Sequence, residues 1–152
     1  MNAEVIFTRN HSIANLIERI IENATISVAA ALYRFNLPDL AAAMKEAARR
    51  GVSVRMVIER RKYDEDSTTQ NLLKKSGVSF RLSRGRAGKG SKMHNKFAVV
   101  DGRAALTGSY NWTTESENEN YENLVILHDL EQVKAYSQEF ELLWEDAAIQ
   151  SE

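Results

Sequence analysis

The stretch that most constrains the fold is a predicted β-hairpin in the second half of the chain. Two apolar runs, Phe97–Val100 and Ala104–Leu106, flank the dipeptide Asp101-Gly102. Asp-Gly between β-forming segments is a strong signal for a two-residue hairpin turn. The residues just before the first run and just after the second should therefore lie side by side at the open end of the hairpin.

Polar side chains collect at that open end. With a two-residue turn, Lys96 lies opposite Thr107 and His94 lies opposite Ser109. Because side chains alternate along a strand, these four residues should share one face with Asn111. The hairpin is thus predicted to gather an imidazole, an ammonium group, hydroxyls and an amide, a set that suits an anion.

These groups match the needs of phosphodiester chemistry. Lys96 offers a cation, and Ser109 and Asn111 offer neutral donors, so together they could hold the non-bridging oxygens of a phosphodiester. His94 could serve as nucleophile, general base or general acid near neutral pH. Gly108 adds a strand position where backbone or ligand can approach closely. The alternative is that His94 and Lys96 are solvated side chains at a strand end.

The pattern of these residues resembles a known signature. Residues 94–101 (HNKFAVVD) and 108–111 (GSYN) are similar to the HxKxxxxD…GSxN motif of the phospholipase D superfamily, and Glu122 resembles the acidic position that follows it. The resemblance implies cleavage or transfer of phosphodiesters by a covalent phosphohistidine mechanism that uses no metal or other cofactor. One histidine attacks phosphorus, and a second histidine protonates the leaving oxygen.

The number of histidines limits what one chain can supply. The implied mechanism needs two HxK motifs, but only His94 is followed by lysine at the second position, whereas His11 and His128 are not. His11 and His128 are interpreted as ordinary surface residues. The resemblance is therefore to the short bacterial nuclease branch, often called Nuc-like, which implies a homodimer whose two subunits build one composite active site.

Four further residues receive predicted roles. Glu122 begins a strand and is expected to hydrogen-bond the far nitrogen of His94, which would fix its tautomer, although an exposed glutamate is the alternative. Asp101 is needed by the turn and is assigned to structure, even though it belongs to the signature. Tyr110 and Trp112 could stack on nucleobases or pack in the dimer interface, and packing is favoured.

Basic side chains run directly into the motif. Residues 81–96 are rich in lysine and arginine and contain no acidic residue, while residues 101–152 are strongly acidic. Interspersed glycines predict a flexible cationic loop, which suits a polyanionic strand. The residues predicted to contact nucleic acid are Arg84, Arg86, Lys89 and Lys92. The alternative is a solvated charged surface.

Apolar strands and amphipathic helices alternate along the chain, which predicts an α/β fold with a mixed β-sheet sandwiched by α-helices. This is also the phospholipase D-like fold that the resemblance implies, and one domain over residues 1–152 suits the length. Besides the hairpin, strands are predicted at Glu4–Phe7, Thr25–Leu32, Val52–Ile58, Val78–Leu82 and Asn123–Leu127. Four helices are predicted. The first starts at Ser12, the second spans Pro38–Arg50, the third ends near Ser76, and the last spans Leu130–Asp146. Residues 59–66 and 113–119 are predicted to be loops.

Composition excludes some kinds of site. The chain has no cysteine, so disulfides and thiolate zinc sites are excluded. No cluster of carboxylates or closely spaced histidines accompanies the motif, so no metal site is predicted. The N-terminal MNAEVIF shows no signal-peptide pattern, and no apolar stretch approaches the length of a membrane span. The expected location is cytoplasmic, or periplasmic or secreted if a leader has been removed.

The sequence therefore predicts a homodimeric, metal-independent phosphodiesterase, most simply an endonuclease acting on DNA or RNA. Two alternatives stay open. A lipid phosphodiesterase could use the same site, but it would need an apolar or interfacial surface by the cleft, so membrane lipid is the less favoured substrate. A non-catalytic nucleic-acid-binding module could keep the fold, although the intact motif argues against this.

Overall fold

The computed structural model describes residues 3–150, which form a seven-stranded sheet and six helices. The strands are β1 (Glu4–Phe7), β2 (Ser27–Leu32), β3 (Ser53–Glu59), β4 (Ser79–Ser83), β5 (Lys96–Val100), β6 (Ala104–Gly108) and β7 (Asn123–Leu127). The helices are α1 (Ile13–Glu22), α2 (Pro38–Arg49), α3 (Arg60–Glu65), α4 (Ser67–Ser76), α5 (Thr114–Asn118) and α6 (Leu130–Gln150). The strand order is β1-β7-β6-β5-β2-β3-β4. Strands β2, β3 and β4 pair in parallel, and the other neighbours pair antiparallel, so the sheet is mixed.

Strand β2 lies inside the sheet between β3 and β5, and both of its faces are covered. Val28, Ala30 and Leu32 point into one hydrophobic core, and the alternate residues Ala29 and Ala31 point into another. An uninterrupted apolar run is what a strand buried on both faces requires. The predicted two-sided burial of this strand is confirmed.

Helices pack on both faces of the sheet. The first core takes apolar side chains from α1, α2 and α4, among them Ile17, Met44 and Leu73. The second core lies under α6, which contributes Val133 and Phe140. The predicted α/β class, a mixed sheet sandwiched by helices, is therefore confirmed.

Two short helices occupy stretches that were predicted to be loops. Glu59 accepts a hydrogen bond from the backbone N–H of Lys62 and so caps α3. Thr113 caps α5 in the same way through the N–H of Ser116. Neither helix has a fully apolar face of useful length, so hydrophobic periodicity gave no signal for it. The last helix also runs further than predicted, to Gln150.

The predicted register of the hairpin is wrong by one residue. The N–H of Arg103 donates to the carbonyl of Val100 at 3.0 Å, so the tight turn forms, but Val100 pairs with Ala104 instead of Arg103. This register keeps Ala104 on the face of Val100 and leaves the Arg103 side chain exposed. Because register follows the burial pattern, the apolar residues decide it. Thr107 consequently faces Phe97, not Lys96 as predicted.

Candidate active site

The predicted site residues meet at one end of the sheet. Strands β5 and β7 begin at this end, where their neighbours finish: Leu32 of β2 lies opposite Lys96, and Phe7 of β1 lies opposite Asn123. Lys96 is the first residue of β5. The loops at the same end carry His94, Ser109, Asn111 and Glu122. Because the register differs by one residue, these side chains do not share one face of the hairpin as predicted. They still lie at the same edge of the sheet.

His94 is exposed, and its ring rests on a tyrosine. The ring centroids of His94 and Tyr33 are 4.4 Å apart, with the planes tilted by 59°. Tyr33 is itself buried, and its backbone N–H donates to the carbonyl of Asn95 at 2.9 Å, so it is fixed just past the end of β2. In the structure it supports the candidate nucleophile.

Two ammonium groups surround this histidine and tyrosine. Nζ of Lys96 donates to the backbone carbonyl of His94 at 3.0 Å and lies 3.5 Å from Nδ1 of its ring. Nζ of Lys96 and Nζ of Lys62 lie 5.4 Å and 5.5 Å from the centre of the Tyr33 ring. Lys62 belongs to α3, so sequence reasoning missed it along with that helix. These cations can stabilise the negative charge of a phosphate beside His94.

The surroundings of His94 favour its neutral form. Desolvation lowers the pKa of the imidazole, and the positive charges of Lys96 and Lys92 lower it further, while Glu59 acts in the opposite direction. A neutral imidazole has the free lone pair that a nucleophile needs. Burial also lowers the pKa of Lys96, an effect that the charge of Glu122 opposes.

Removing one of these charges should be visible in a titration. In Lys92→Gln the pKa of His94 should rise, because a nearby positive charge that disfavours the imidazolium has been removed. The acidic limb of a pH–rate profile should then move to higher pH, since more of the imidazole is protonated at a given pH. Histidine NMR titration measures the shift directly. Lys134→Gln, which changes an exposed charge on α6, is the control, and an unmoved or lowered pKa in Lys92→Gln would contradict the electrostatic assignment.

Glu122 is held by its own chain, away from the predicted partner. One carboxylate oxygen accepts from Oγ of Ser109 at 2.7 Å, and the other accepts from Oγ of Ser116 at 2.8 Å and Nδ2 of Asn120 at 3.2 Å. Among the contacts of residues 3–150, none joins Glu122 to His94, so the predicted tautomer-fixing bond is wrong for a single chain. The carboxylate instead fixes Ser109 and lies close enough to Lys96 to affect its pKa.

Asn111 has unmet hydrogen-bonding capacity. Its Oδ1 is buried, and no partner for it occurs among the described residues. Most buried polar side-chain atoms in proteins are paired, so this unpaired oxygen is an unusual feature at the edge of the site. The next residue, Trp112, is buried in the core together with Tyr110. The predicted roles of these two aromatic residues in base stacking or in a dimer interface are therefore wrong.

Asp101 lies at the other end of β5 from His94 and organises the fold there. Its carboxylate accepts hydrogen bonds from the backbone N–H groups of Thr25, Ile26 and Ser27, at distances from 2.7 to 3.2 Å. Partial burial would raise the pKa of this carboxyl, but those hydrogen bonds hold it below its usual range. The contacts agree with the structural assignment made from the turn.

Gly108 is the point where two backbones meet. A Cβ atom built at this position would lie 2.3 Å from the carbonyl oxygen of Asn123, and φ is +147°. The N–H of Ser109 donates to the same carbonyl at 3.2 Å. The close approach thus joins β6 to the start of β7 and sets Ser109 against Glu122.

The predicted nucleic-acid-binding residues Arg84, Arg86, Lys89 and Lys92 are all exposed. Arg84 and Lys89 line a cleft of about 180 Å³ together with Arg60 and Arg61 from α3 and the acids Glu59 and Asp64. The two added arginines were missed because their segment was predicted to be a loop. The run of charged residues directly after buried β3 was the sequence signal that could have indicated these arginines. The cleft is a basic surface on the β3–β4 side of His94.

The other histidines lie outside this group. His11 is exposed, and Nε2 of His128 pairs with a carboxylate oxygen of Glu4 at 2.6 Å. Within residues 3–150 no group of three or more His, Asp or Glu side chains is arranged to hold a metal ion. In the same range, no helix has the length and apolar character needed to cross a membrane.

Comparisons with known proteins identify similar chains. A family model described as cardiolipin synthase, PLD-like domain, matches residues 17–144. The mitochondrial cardiolipin hydrolase of Xenopus tropicalis is 37% identical over 127 residues, which cover 84% of this chain and 59% of that protein. The mouse protein of the same name (Mus musculus) is 33% identical over 135 residues, covering 89% of this chain and 59% of that protein. This chain therefore spans under two thirds of the length of these relatives.

Two solved structures match over nearly the whole chain. Nuc from Salmonella typhimurium, described as a phospholipase D family member, superposes with a TM-score of 0.84 at 26% identity and covers 95% of both chains. NucT from Helicobacter pylori superposes with a TM-score of 0.85 at 25% identity, covering 95% of this chain and 96% of that one.

Proposed function

This chain belongs to the phospholipase D superfamily, and we propose that it is a metal-independent phosphodiesterase that cleaves nucleic acid through a phosphohistidine intermediate. The observation that carries the proposal is the setting of His94. It is exposed and rests on Tyr33, and partial desolvation and neighbouring cations lower its pKa. Lys96 supplies positive charge at the same place.

A complete site needs a second histidine, and we assign it to a second copy of the chain. His94 is the sole histidine in an HxK motif. Its exposure leaves room for the equivalent edge of another subunit across a two-fold axis. Asn111, whose buried Oδ1 has no partner among the described residues, lies at this edge as well.

The chemistry then runs in two balanced steps. A neutral ring nitrogen of His94 attacks phosphorus, and the bond between phosphorus and the leaving oxygen breaks while His94 of the partner subunit donates its proton to that oxygen. Water next attacks the phosphohistidine and gives a proton to the now neutral His94 of the partner subunit. The phosphorus–nitrogen bond breaks, and a phosphomonoester leaves. Lys96 stabilises the non-bridging oxygens in both steps.

The basic surface beside the site favours nucleic acid as the substrate. Arg60, Arg61, Arg84 and Lys89 surround one cleft, and such a surface gains affinity by releasing counterions from a polyanionic strand. A second candidate substrate is an anionic phospholipid. The relatives named mitochondrial cardiolipin hydrolase favour it, and a lipid phosphodiester would meet the same His94 and Lys96.

A parallel assay separates these functions. The protein should nick plasmid DNA or cut short RNA in excess EDTA, because lysine ammonium groups replace a metal in neutralising the phosphate. Cardiolipin in vesicles should be hydrolysed far more slowly under the same conditions. The His94→Ala protein controls for contaminating nucleases. Loss of cleavage in EDTA with recovery on adding magnesium would refute the mechanism, and a clear preference for cardiolipin would establish the lipid alternative.

The predicted cationic loop gives a further expected result. Changing Arg84, Arg86, Lys89 and Lys92 to glutamine should weaken binding to nucleic acids of any sequence and flatten its salt dependence. Each lost phosphate contact should reduce the slope of log affinity against log salt by about 0.7 to 0.9. Fluorescence anisotropy across a salt series measures both. Changing the exposed Lys74 and Lys75 on α4 to glutamine is the control. An unchanged slope in the quadruple variant would show that the loop is a solvated surface that does not contact nucleic acid.

A further inference from the structure

A second cleft opens at the same end of the sheet, on the side opposite the basic surface. It has a volume of about 430 Å³ and lies between the end of β1 and the start of β7. It is lined by Phe7, Thr8, Arg9, Asn10, Tyr121 and Glu122, with Asn123 at its edge. Glu122 lines this cleft and accepts a hydrogen bond from Ser109, so the cleft borders the candidate active site.

The aromatic residue in the cleft is unusually exposed. Tyr121 is 81% exposed, and the guanidinium of Arg9 lies 4.7 Å from the centre of its ring. Phe7, at the end of β1, is also 55% exposed. The first hydrophobic core and the second both exclude these rings. The flat faces of an aromatic side chain and a guanidinium are thus presented to solvent beside the site.

The backbone under Tyr121 is held in place. The N–H of Thr8 donates to the carbonyl of Glu122 at 3.0 Å, and the N–H of Glu122 donates to Oγ1 of Thr8 at 2.9 Å. Oγ1 of Thr8 also donates to the carbonyl of Asn120 at 2.9 Å. These bonds fix the residues on both sides of Tyr121 to the end of β1. The ring therefore stands on a supported loop.

The cleft also lies within one nucleotide's reach of a phosphate bound at His94. Strand β7 is two places from β5 in the sheet, which corresponds to about 10 Å between the strand that Tyr121 precedes and the strand that Lys96 begins. A nucleotide whose phosphate lies at His94 can reach across that distance. The basic surface lies on the opposite side, so a strand crossing the end of the sheet would meet both.

We propose that Tyr121 and Arg9 form a base-stacking subsite for the nucleotide next to the scissile phosphate, an inference that rests on the proposed nuclease function. Aromatic rings and arginine planes stack on any nucleobase, which suits cleavage with little sequence preference. Besides the exposed Phe7, the other lining residues Thr8, Asn10, Glu122 and Asn123 are polar. Their side chains offer hydrogen-bonding partners to a base and its sugar beside the stacking ring.

The test compares small substrates with and without a base. Thymidine 3′-(4-nitrophenyl phosphate), its 5′ isomer and methyl 4-nitrophenyl phosphate share a leaving group, whose release is followed by absorbance. With the thymidine isomer that the wild type prefers, the ratio of its kcat/KM to that of the methyl ester should fall about tenfold in Tyr121→Ala. Tyr121→Phe keeps the ring and should keep the ratio. Leu142→Ala, which shortens an exposed apolar side chain on α6, controls for unspecific effects.

The outcomes separate this subsite from the function on which it rests. If the wild-type protein cleaves none of the three esters, the proposed function fails and the subsite fails with it. If it cleaves them and the ratio is the same in Tyr121→Ala, the subsite alone is refuted. A change from dimer to monomer in Tyr121→Ala by light scattering, or a selective loss of cardiolipin hydrolysis, would show that a second copy or a lipid occupies the cleft and would also refute it.

Discussion

Dimers refolded from equal amounts of wild-type and His94→Ala chains should retain about one quarter of the activity of an equal amount of wild-type dimer. A composite centre needs one His94 as nucleophile and the other as proton donor, so a dimer with one altered chain lacks one of the two. Random pairing makes about one quarter of the dimers fully wild type. Activity on plasmid DNA after denaturation and joint refolding measures this fraction, and His94→Ala alone should be inactive.

The matched control is His128→Ala in the same mixing experiment. His128 pairs with Glu4 and lies at the far end of β7 from Glu122, so mixed dimers should keep full activity. If activity in the His94→Ala series instead falls in proportion to the wild-type fraction, with subunit exchange verified, each chain carries its own complete site. A fully active monomer in light scattering would refute the shared site in the same way.

Several strands, a helix cap and a turn show what local sequence could predict. The bounds of β1 and β7 agree with the predicted ones, and Ser12 caps α1 through the N–H of Asn15 as its position before an apolar helix pattern suggested. Asp101-Gly102 does form the tight turn of the hairpin, with φ of 56° and 64°. These features depend on neighbours in sequence, so patterns and turn chemistry are sufficient to find them.

The register of the hairpin could not be predicted from the turn alone. Arg103 is an extra residue between the turn and the ladder, and its inclusion keeps Leu106 in the first core with Ala98. That outcome depends on α1 and α2, which pack against this face of the sheet. The carboxylate of Asp101 also bonds the start of β2, a contact between distant parts of the sequence. Tertiary packing therefore sets the register of the hairpin, which the Asp101-Gly102 turn does not specify by itself.

The sequence predicted which residues belong to the site better than it predicted the contacts between them. His94 and Lys96 are close, as the motif implied, but Tyr33 and Lys62 reach them from β2 and α3, which only the folded sheet brings near. The carboxylate of Glu122 was expected at His94 and instead bonds Ser109, Ser116 of α5 and Asn120, which follows that helix. Helix α5 was predicted to be a loop, so its donor Ser116 could not have been anticipated.

Gly108→Ala should destabilise the protein by about 3 kcal/mol, a typical size for overpacking combined with strained backbone. The new Cβ would lie 2.3 Å from the carbonyl oxygen of Asn123, which is backbone and cannot rotate away. Strand β7 must then separate from the end of β6, and Ser109 loses its position against Glu122. Urea denaturation measures the free energy of unfolding, and the proposed nuclease activity of the folded fraction should fall as well.

Gly102→Ala in the same hairpin distinguishes a steric clash from loss of glycine as such. Gly102 also has positive φ, 64°, but a Cβ atom there meets nothing within 4 Å. The substitution should destabilise by about 1 kcal/mol through backbone strain alone and should leave the distant site intact. If the two variants unfold at the same urea concentration, the approach of Gly108 to Asn123 is not tight in solution. If Gly108→Ala alone is unstable and inactive, the glycine of the GSxN segment acts by letting β7 close on β6, which places Glu122 beside Ser109 and Lys96.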